Sequence, residues 1–175
     1  MKTKLVGARL LWLLVITSMS FAQDAPDLFQ GYDGEWHHVS EQLIALAEAT
    51  PPERFAWRPA TGVRSTSEVY IHIVRANFLM LDAIGSKMPA DLKDGMETTL
   101  TSKDDVIRWL KRSLQAVKAA RAAETAADLQ RKTKFFNTDT TVDHIFLRII
   151  VHNNEHMGQL VAYARMTGVV PPWSR

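Results

Sequence analysis

Apolar side chains recur at intervals of three and four residues in four segments of this chain, which predicts four amphipathic helices. The predicted helices begin near residues 35, 65, 102 and 141. Pro51-Pro52 ends the first, and Ser65 and Glu68 have the spacing of a capping box at the start of the second. No segment alternates convincingly with a period of two, so the sequence predicts no β-sheet.

The segment between the second and third helices, residues 86–101, contains Pro89 and Gly95 and is long enough to cross the end of a helix bundle. Residues 118–131 are rich in alanine and either continue the third helix or fray. Core-like spacing in the first and third helices falls on Trp36, Leu43, Leu46, Ala47, Ile107, Leu110, Leu114 and Val117. The pattern therefore predicts an all-α fold in one domain.

The first 22 residues have the three parts of a secretory signal peptide. Lys2, Lys4 and Arg9 precede an apolar run at residues 10–19, and small residues lead to Ala22. The run is shorter than the about 20 residues that span a bilayer. We therefore expect cleavage after Ala22 and a periplasmic or secreted protein that meets the membrane only during export, and an uncleaved anchor is the alternative.

This assignment divides the chain into a signal peptide at residues 1–22, an N-terminal lead-in at 23–33 and a helical domain at 34–172. Three of the 21 basic residues lie in the signal, which leaves 18 against 19 acidic residues and a net charge of −1. No basic stripe with interleaved aromatic residues is present, so we expect no nucleic-acid partner. The chain has no cysteine, so a metal site would have to use His, Asp or Glu.

Histidines interrupt the apolar faces of two predicted helices. In the last helix the face reads Val142, Ile145, Ile149, His152, His156, Gln159 and Tyr163. In the second helix it reads Val69, His72, Ala76, Leu79 and Ala83. His152 and His156 are one turn apart, so their rings can converge on one point.

Three buried imidazoles cost free energy unless each has a partner, and a metal ion would supply one partner for all three. We therefore predict one divalent ion on His72, His152 and His156. Considered alone, His72 is more typical of a hydrogen-bonded core residue. Gln159 could hydrogen-bond a ligand imidazole or a bound water, or be a plain buried amide. Tyr163 is more typical of packing than of acid catalysis.

The remaining histidines are weaker candidates. His144 lies about 12 Å from His152 along a helix and is too far to bind the same ion. His37 and His38 come early in the first helix, where a solvated or capping role is expected, although one of them could approach the site.

The string His152-Asn153-Asn154-Glu155-His156 also matches the H-x-x-E-H motif of inverted zinc peptidases. Those enzymes need a further acidic ligand on a later helix, and residues 157–175 contain no Asp or Glu. Glu155 is the nearest general base by sequence, but on a helix it points about 100° away from His156. A peptidase is therefore disfavoured.

The order of short motifs resembles the DinB/YfiT-like family of metalloenzymes over most of the chain, from about Trp36 to Pro172. The first group is Phe55-x-Trp57-Arg58-Pro59, Gly62 and Ser65-x-x-Glu68, leading to His72. The second group is His152-x-x-x-His156-x-Gly158-Gln159, Tyr163-x-Arg165, Gly168 and Pro171-Pro172.

This resemblance implies a four-helix bundle with a long crossover between the second and third helices, which matches residues 86–101. It also implies three histidine ligands, which map onto His72, His152 and His156, with zinc or nickel as the metal. Members of the family often form homodimers, and some are thiol-dependent transferases or isomerases. The export signal is a departure from most relatives and would separate this protein from cytosolic thiols.

The sequence thus predicts a metal-dependent enzyme, either a hydrolase or a thiol-dependent transferase, that acts on an unidentified small molecule. Three neutral histidines leave at least one position on the ion open for a water molecule or a thiol. No catalytic residue is assigned. The alternatives are a metal-binding protein without catalysis and a structural bundle with vestigial histidines.

Overall fold

A computed structural model describes residues 30–174 of the chain, and four long helices form its body. These are α1 (Gly31–Ala49), α2 (Thr66–Asp82), α4 (Lys103–Ala123) and α6 (Val142–Met166). Two short helices, α3 (Met96–Thr99) and α5 (Ala126–Leu129), and two 3-10 turns (Pro52–Arg54 and Pro172–Ser174) lie between or after them. The helix α2 packs against α4 and α6, and α1 packs against the same two helices. The predicted all-α bundle is therefore confirmed.

The core consists of the apolar faces of the four long helices. In α1 the predicted core residues Trp36, Leu43, Leu46 and Ala47 are all buried. In α4 the residues Leu110, Leu114 and Val117 are buried, while Ile107 is only partly covered. The spacing of three and four therefore identifies the inward faces of α1 and α4 apart from Ile107, because one turn of α-helix takes 3.6 residues.

A network of buried polar side chains joins three helices within this core. Asn77 on α2 and Asn153 on α6 are fully buried, and the amide of Asn153 donates to Oδ1 of Asn77 (2.7 Å). The amide of Asn77 reaches Ser113 on α4 at 3.4 Å. Buried polar groups need such partners, so these residues help to fix the position of α2 relative to α6.

The predicted absence of a sheet is wrong. Strands β1 (Lys132–Phe135) and β2 (Thr138–Thr141) form an antiparallel hairpin in which Lys132 pairs with Thr141. The hairpin is mostly exposed and lacks an apolar face, so it has no alternation for a hydrophobicity pattern to detect. Its turn is also unusual, because Phe136 rather than glycine takes a positive φ of 51°.

The capping box at the start of α2 is present as predicted. The Ser65 side chain accepts from the backbone N–H of Glu68 (3.3 Å), and the Glu68 carboxylate accepts from the N–H of Ser65 (2.6 Å). The helix α1 begins at Gly31, four residues earlier than the sequence predicts. The alanine-rich stretch continues α4 as far as Ala123, and a second capping box on Thr125 then starts α5.

The crossover between α2 and α4 spans the predicted segment and includes the single turn of α3. The predicted signal peptide, residues 1–22, lies outside the described part of the chain. Within residues 30–174, no helix combines the length and the apolar character needed to cross a membrane.

Candidate metal centre

The three predicted histidines meet between α2 and α6. His72, on α2, and His152 and His156, on α6, each offer one donor atom, and these atoms lie within 4.8 Å of one another. The Nε2 atoms of His72 and His152 are 3.3 Å apart. The ring centroids of the three pairs are separated by 5.1, 4.7 and 4.5 Å. The helices thus bring residues 80 positions apart in sequence into one cluster.

The spacing of the first two nitrogens fits a metal ion. Zinc binds imidazole nitrogen at about 2.0–2.1 Å, so two nitrogens on a tetrahedral ion lie about 3.3 Å apart. The observed separation of the Nε2 atoms of His72 and His152 has this value. Without an ion, two neutral Nε2 atoms at this distance would have to share one proton between them.

The protonated nitrogen of His156 follows from a chain of hydrogen bonds. The carbonyl of Arg64 can only accept, so the Tyr163 hydroxyl donates to it (3.2 Å) and accepts from Nε2 of Gln159 (2.8 Å). Oε1 of Gln159 therefore faces Nδ1 of His156 at 2.9 Å, and this nitrogen carries the hydrogen. The lone pair of His156 is left on Nε2, where it is available to a metal ion.

Glu97, on α3, lies on the other side of the cluster. Its Oε2 is 3.6 Å from Nδ1 of His72, and its Oε1 accepts from Nε of Arg64 at 2.5 Å. A carboxylate beside Nδ1 favours a hydrogen on that nitrogen and a lone pair on Nε2. Glu97 thus favours the orientation of His72 in which Nε2 faces His152.

The surroundings keep His72 and His152 neutral. Burial, followed by the charges of His156, His72 and Arg148, lowers the pKa of His152 to about 4. Burial and then the charge of Arg64 lower the pKa of His72, against the opposing effect of Glu97. Both rings are therefore neutral at pH 7, the state in which imidazole binds metals.

The cluster lies nearer the surface than the sequence predicts. The α2 face that carries His72 was expected to be core, but Leu79 on the same face is 41% exposed and the side chain of His72 is 25% exposed. The reason is that α2 packs against two helices at once, and residues such as Val69, Tyr70, Ile73 and Val74 fill those contacts. The histidine face is left at the edge of the contact with α6.

A cavity of about 590 Å³ adjoins the cluster. Its lining includes Arg58, Arg64, Glu68, Glu97 and Gln159. Gln159 contacts His156, and Glu97 lies beside His72, so two residues of the lining touch the histidine cluster, although none of the three histidines lines the cavity itself.

Comparison with known proteins decides the family. The sequence pattern of the DinB superfamily matches residues 35–160, which is well over half of the chain. This chain belongs to the DinB superfamily. The match covers α2 and the part of α6 that carries His152 and His156, and it confirms the resemblance inferred from the sequence motifs.

Crystal structures of two DinB-like proteins have the same fold. The protein from Bacillus cereus ATCC 10987 superposes with a TM-score of 0.72 at 24% identity, covering 82% of this chain and 95% of the other. The protein YjoA from Bacillus subtilis gives a TM-score of 0.60 at 21% identity, covering 81% and 96%. At these identities the similarity concerns the fold alone. A search of curated proteins finds no significant match.

The other histidines of this DinB domain lie outside the cluster. His144 is exposed in the first turn of α6, and His37 and His38 are partly buried on α1. None of them belongs to the three-residue group that the described part of the chain brings together.

Glu155 is not placed to act as a general base. Both of its carboxylate oxygens accept from Arg148 (3.2 and 2.6 Å), and its side chain is 51% exposed. The H-x-x-E-H string therefore does not produce the arrangement of an inverted zinc peptidase in this domain.

Sequence reasoning did not find Glu97 and Arg64. Arg64 lies in a loop and Glu97 in the single turn of α3, and neither is long enough for a helical period to indicate the direction of a side chain. The capping box at Ser65 was the one available signal for Arg64, because it fixes the start of α2 immediately after that residue.

Proposed function

We propose that this protein binds one divalent metal ion, zinc or nickel, on His72, His152 and His156 and uses it as a metal-dependent enzyme. The observation that supports this most strongly is the convergence of three histidine donor atoms within 4.8 Å. The partners of the outer nitrogens add support, because Gln159 and Glu97 leave Nε2 of His156 and His72 for an ion.

The ligand set favours an open site over a closed structural one. Structural zinc sites in proteins almost always use four protein ligands. In residues 30–174 no fourth His, Asp or Glu joins the cluster, and the adjoining cavity gives a small molecule access. When bound, the ion would supply Lewis-acid activation of a water molecule or a thiol. The protein would hold the three rings in place and exclude water from their buried side.

The two reaction classes that we propose are hydrolysis and thiol-dependent transfer, acting on an unidentified small molecule. Activation of water would give the hydrolase, and activation of a thiol would give the transferase. We also propose that the protein is exported, which would limit its access to cytosolic thiols.

A metal-binding protein without catalysis is the second candidate. The observation that favours it is that both carboxylates near the cluster are held in ion pairs, Glu155 by Arg148 and Glu97 by Arg64. Such a protein would hold the ion tightly and turn over no substrate.

Metal content and turnover together test these proposals. The protein purified from its native compartment should contain one zinc or nickel ion per chain, measured by elemental analysis. The metal-loaded protein is then offered p-nitrophenyl acetate with and without an added thiol. Turnover without thiol supports the hydrolase, and turnover that requires thiol supports the transferase. One bound ion without turnover in either assay would support the non-catalytic alternative, and absence of the ion would refute the metal site.

Export has its own test. N-terminal sequencing of protein from the periplasmic or extracellular fraction should begin at Gln23, the residue after the predicted cleavage site. Recovery of the intact chain from the cytoplasm would contradict the proposal, and recovery of the intact chain from the membrane would support an uncleaved anchor.

A further inference from the structure

Arg64 is attached to the histidine cluster through both its backbone and its side chain. Its carbonyl accepts from Tyr163, at the end of the hydrogen-bond chain that reaches His156. Its Nε donates to Glu97, whose other oxygen lies beside His72. The ion pair with Glu97 therefore holds the guanidinium near His72, while the backbone of Arg64 is connected to His156 through Tyr163 and Gln159.

The guanidinium also has donor groups to spare. Glu97 takes only Nε, and the two terminal Nη groups have no partner within residues 30–174. The side chain is 45% exposed and lines the cavity beside the cluster. Arg58 lines the same cavity, but its Nη1 donates to the carbonyl of Val63 and its Nη2 to Glu68. Of the two arginines that line this cavity, Arg64 is thus the one whose Nη groups both lack a partner among the described residues.

Two free Nη groups on a planar guanidinium match the two oxygens of a carboxylate. The Glu97 carboxylate links Arg64 to the cluster, because its Oε1 accepts from Nε of Arg64 at 2.5 Å and its Oε2 lies 3.6 Å from Nδ1 of His72. An anion held by Arg64 would therefore lie close to a group bound to the ion.

We propose that Arg64 binds a carboxylate, or a similar oxyanion, at one end of a small ligand whose other end binds the metal ion. This proposal rests on the proposed metal site and adds to it the chemical class of the substrate. Glu97 would position Arg64, because the ion pair holds the Nε edge of the guanidinium and leaves the Nη edge facing the cavity.

The test uses the full mature protein loaded with cobalt and two thiols that differ in one charge. The probes are 3-mercaptopropionate and its methyl ester, and binding is followed by the change in the visible spectrum of cobalt. An exposed ion pair contributes up to about 1 kcal/mol, so the wild type should bind the acid up to about fivefold more tightly than the ester. Arg64→Gln should abolish this preference, so that the acid and the ester bind with equal affinity.

Arg148→Gln is the matched control, since Arg148 also lies near the cluster but both of its Nη groups are engaged by Glu155. This variant should keep the preference for the acid. Arg64→Lys should keep part of the preference for the acid, because the positive charge remains while the two-pronged guanidinium is lost. This variant provides the test if Arg64→Gln fails to fold. Equal affinity of the wild type for both probes, or equal loss in both Gln variants, would overturn the proposal. Failure of the wild type to bind cobalt would refute the metal site itself.

Discussion

At the scale of single residues, each of the three histidines has a different environment. Nδ1 of His156 donates to Gln159 and Nδ1 of His72 lies beside Glu97, whereas Nδ1 of His152 is buried without a partner among the described residues. All three rings can nevertheless direct Nε2 toward a common point. The loss of any one ring should therefore weaken metal binding, although each loss also removes a different set of hydrogen-bond contacts.

Removal of each ligand is the direct test of the cluster. His72→Ala, His152→Ala and His156→Ala should each lose most of the bound metal, because two imidazoles bind an ion much less tightly than three. His144→Ala is the control from the same helix and should keep a full ion per chain. Metal per chain is measured on preparations of equal purity, and retention in the His72 variant would falsify the three-ligand arrangement.

Gln159 should affect metal affinity without being a ligand. Gln159→Leu removes the acceptor that holds the hydrogen on Nδ1 of His156, and loss of such a partner typically lowers metal affinity about 10–100-fold. Tyr163→Phe removes only the hydroxyl that holds Gln159 and should have a smaller effect in the same direction. Competition with a chromogenic chelator gives both affinities. Unchanged affinity in Gln159→Leu would show that the hydrogen bond has no such role.

At the scale of elements, the start of α2 positions His72 and Arg64 through its capping box. Burial raises the pKa of Glu68, but the Ser65 N–H and the Arg58 guanidinium outweigh it, so the pKa of Glu68 is lowered overall. A carboxyl whose pKa is lower in the folded state stabilises the protein above its unfolded-state pKa. This stabilisation is lost as the pH falls through the folded-state value.

Glu68→Gln should therefore destabilise the metal-free protein at pH 7, by about 1 kcal/mol, which is the usual scale of a helix cap. The difference from wild type should be smaller at pH 3 than at pH 7, because the carboxylate becomes protonated as the pH falls through its lowered pKa. Urea unfolding at the two pH values measures it. Glu53→Gln, at an exposed site, should leave stability unchanged at both values. A Glu68→Gln effect of the same size at pH 3 would contradict the linkage.

The buried amides of Asn77 and Asn153 give a second prediction for the contact between α2 and α6. Asn77→Ala leaves Asn153 buried with an unsatisfied group, which costs about 1–3 kcal/mol. The double variant with Asn153→Ala should cost less than the sum of the single changes, since each removes the other's partner. Chemical unfolding of the wild type, the two single variants and the double variant measures the free energies of unfolding. Strictly additive losses of this free energy would show that the pair is not coupled.

The features that the sequence predicted are those that depend on helical period. The α1 core and the pairing of His152 with His156 follow from intervals of three and four residues. The hairpin could not be predicted because its strands lack an apolar face, and Glu97 could not because it reaches the cluster from the crossover. The exposure of Leu79 depends on how α2 divides its contacts between α4 and α6. The apolar pattern of α2 alone does not show which neighbouring helices will cover each of its faces.

At the scale of the whole molecule, an ion on the three histidines would connect α2 to α6. An ion that binds only the folded state stabilises it by about 2.7 kcal/mol when its concentration is 100 times the dissociation constant. Chelation should therefore lower the melting temperature of the wild type and barely change that of the double variant His152→Ala/His156→Ala. Calorimetry with and without chelator measures both shifts, and equal shifts would contradict the connection.

The separation of the ligands along the chain has a consequence for the order of events during biogenesis. His72 and His152 are 80 residues apart and meet only once α2 lies against α6. The growing polypeptide can present at most the pair on α6, so full affinity appears after the bundle has folded. If the protein is exported before it folds, as proposed above, the metal would be acquired at the destination. The supply of zinc and nickel in that compartment, and not in the cytosol, would then decide which ion the mature protein carries.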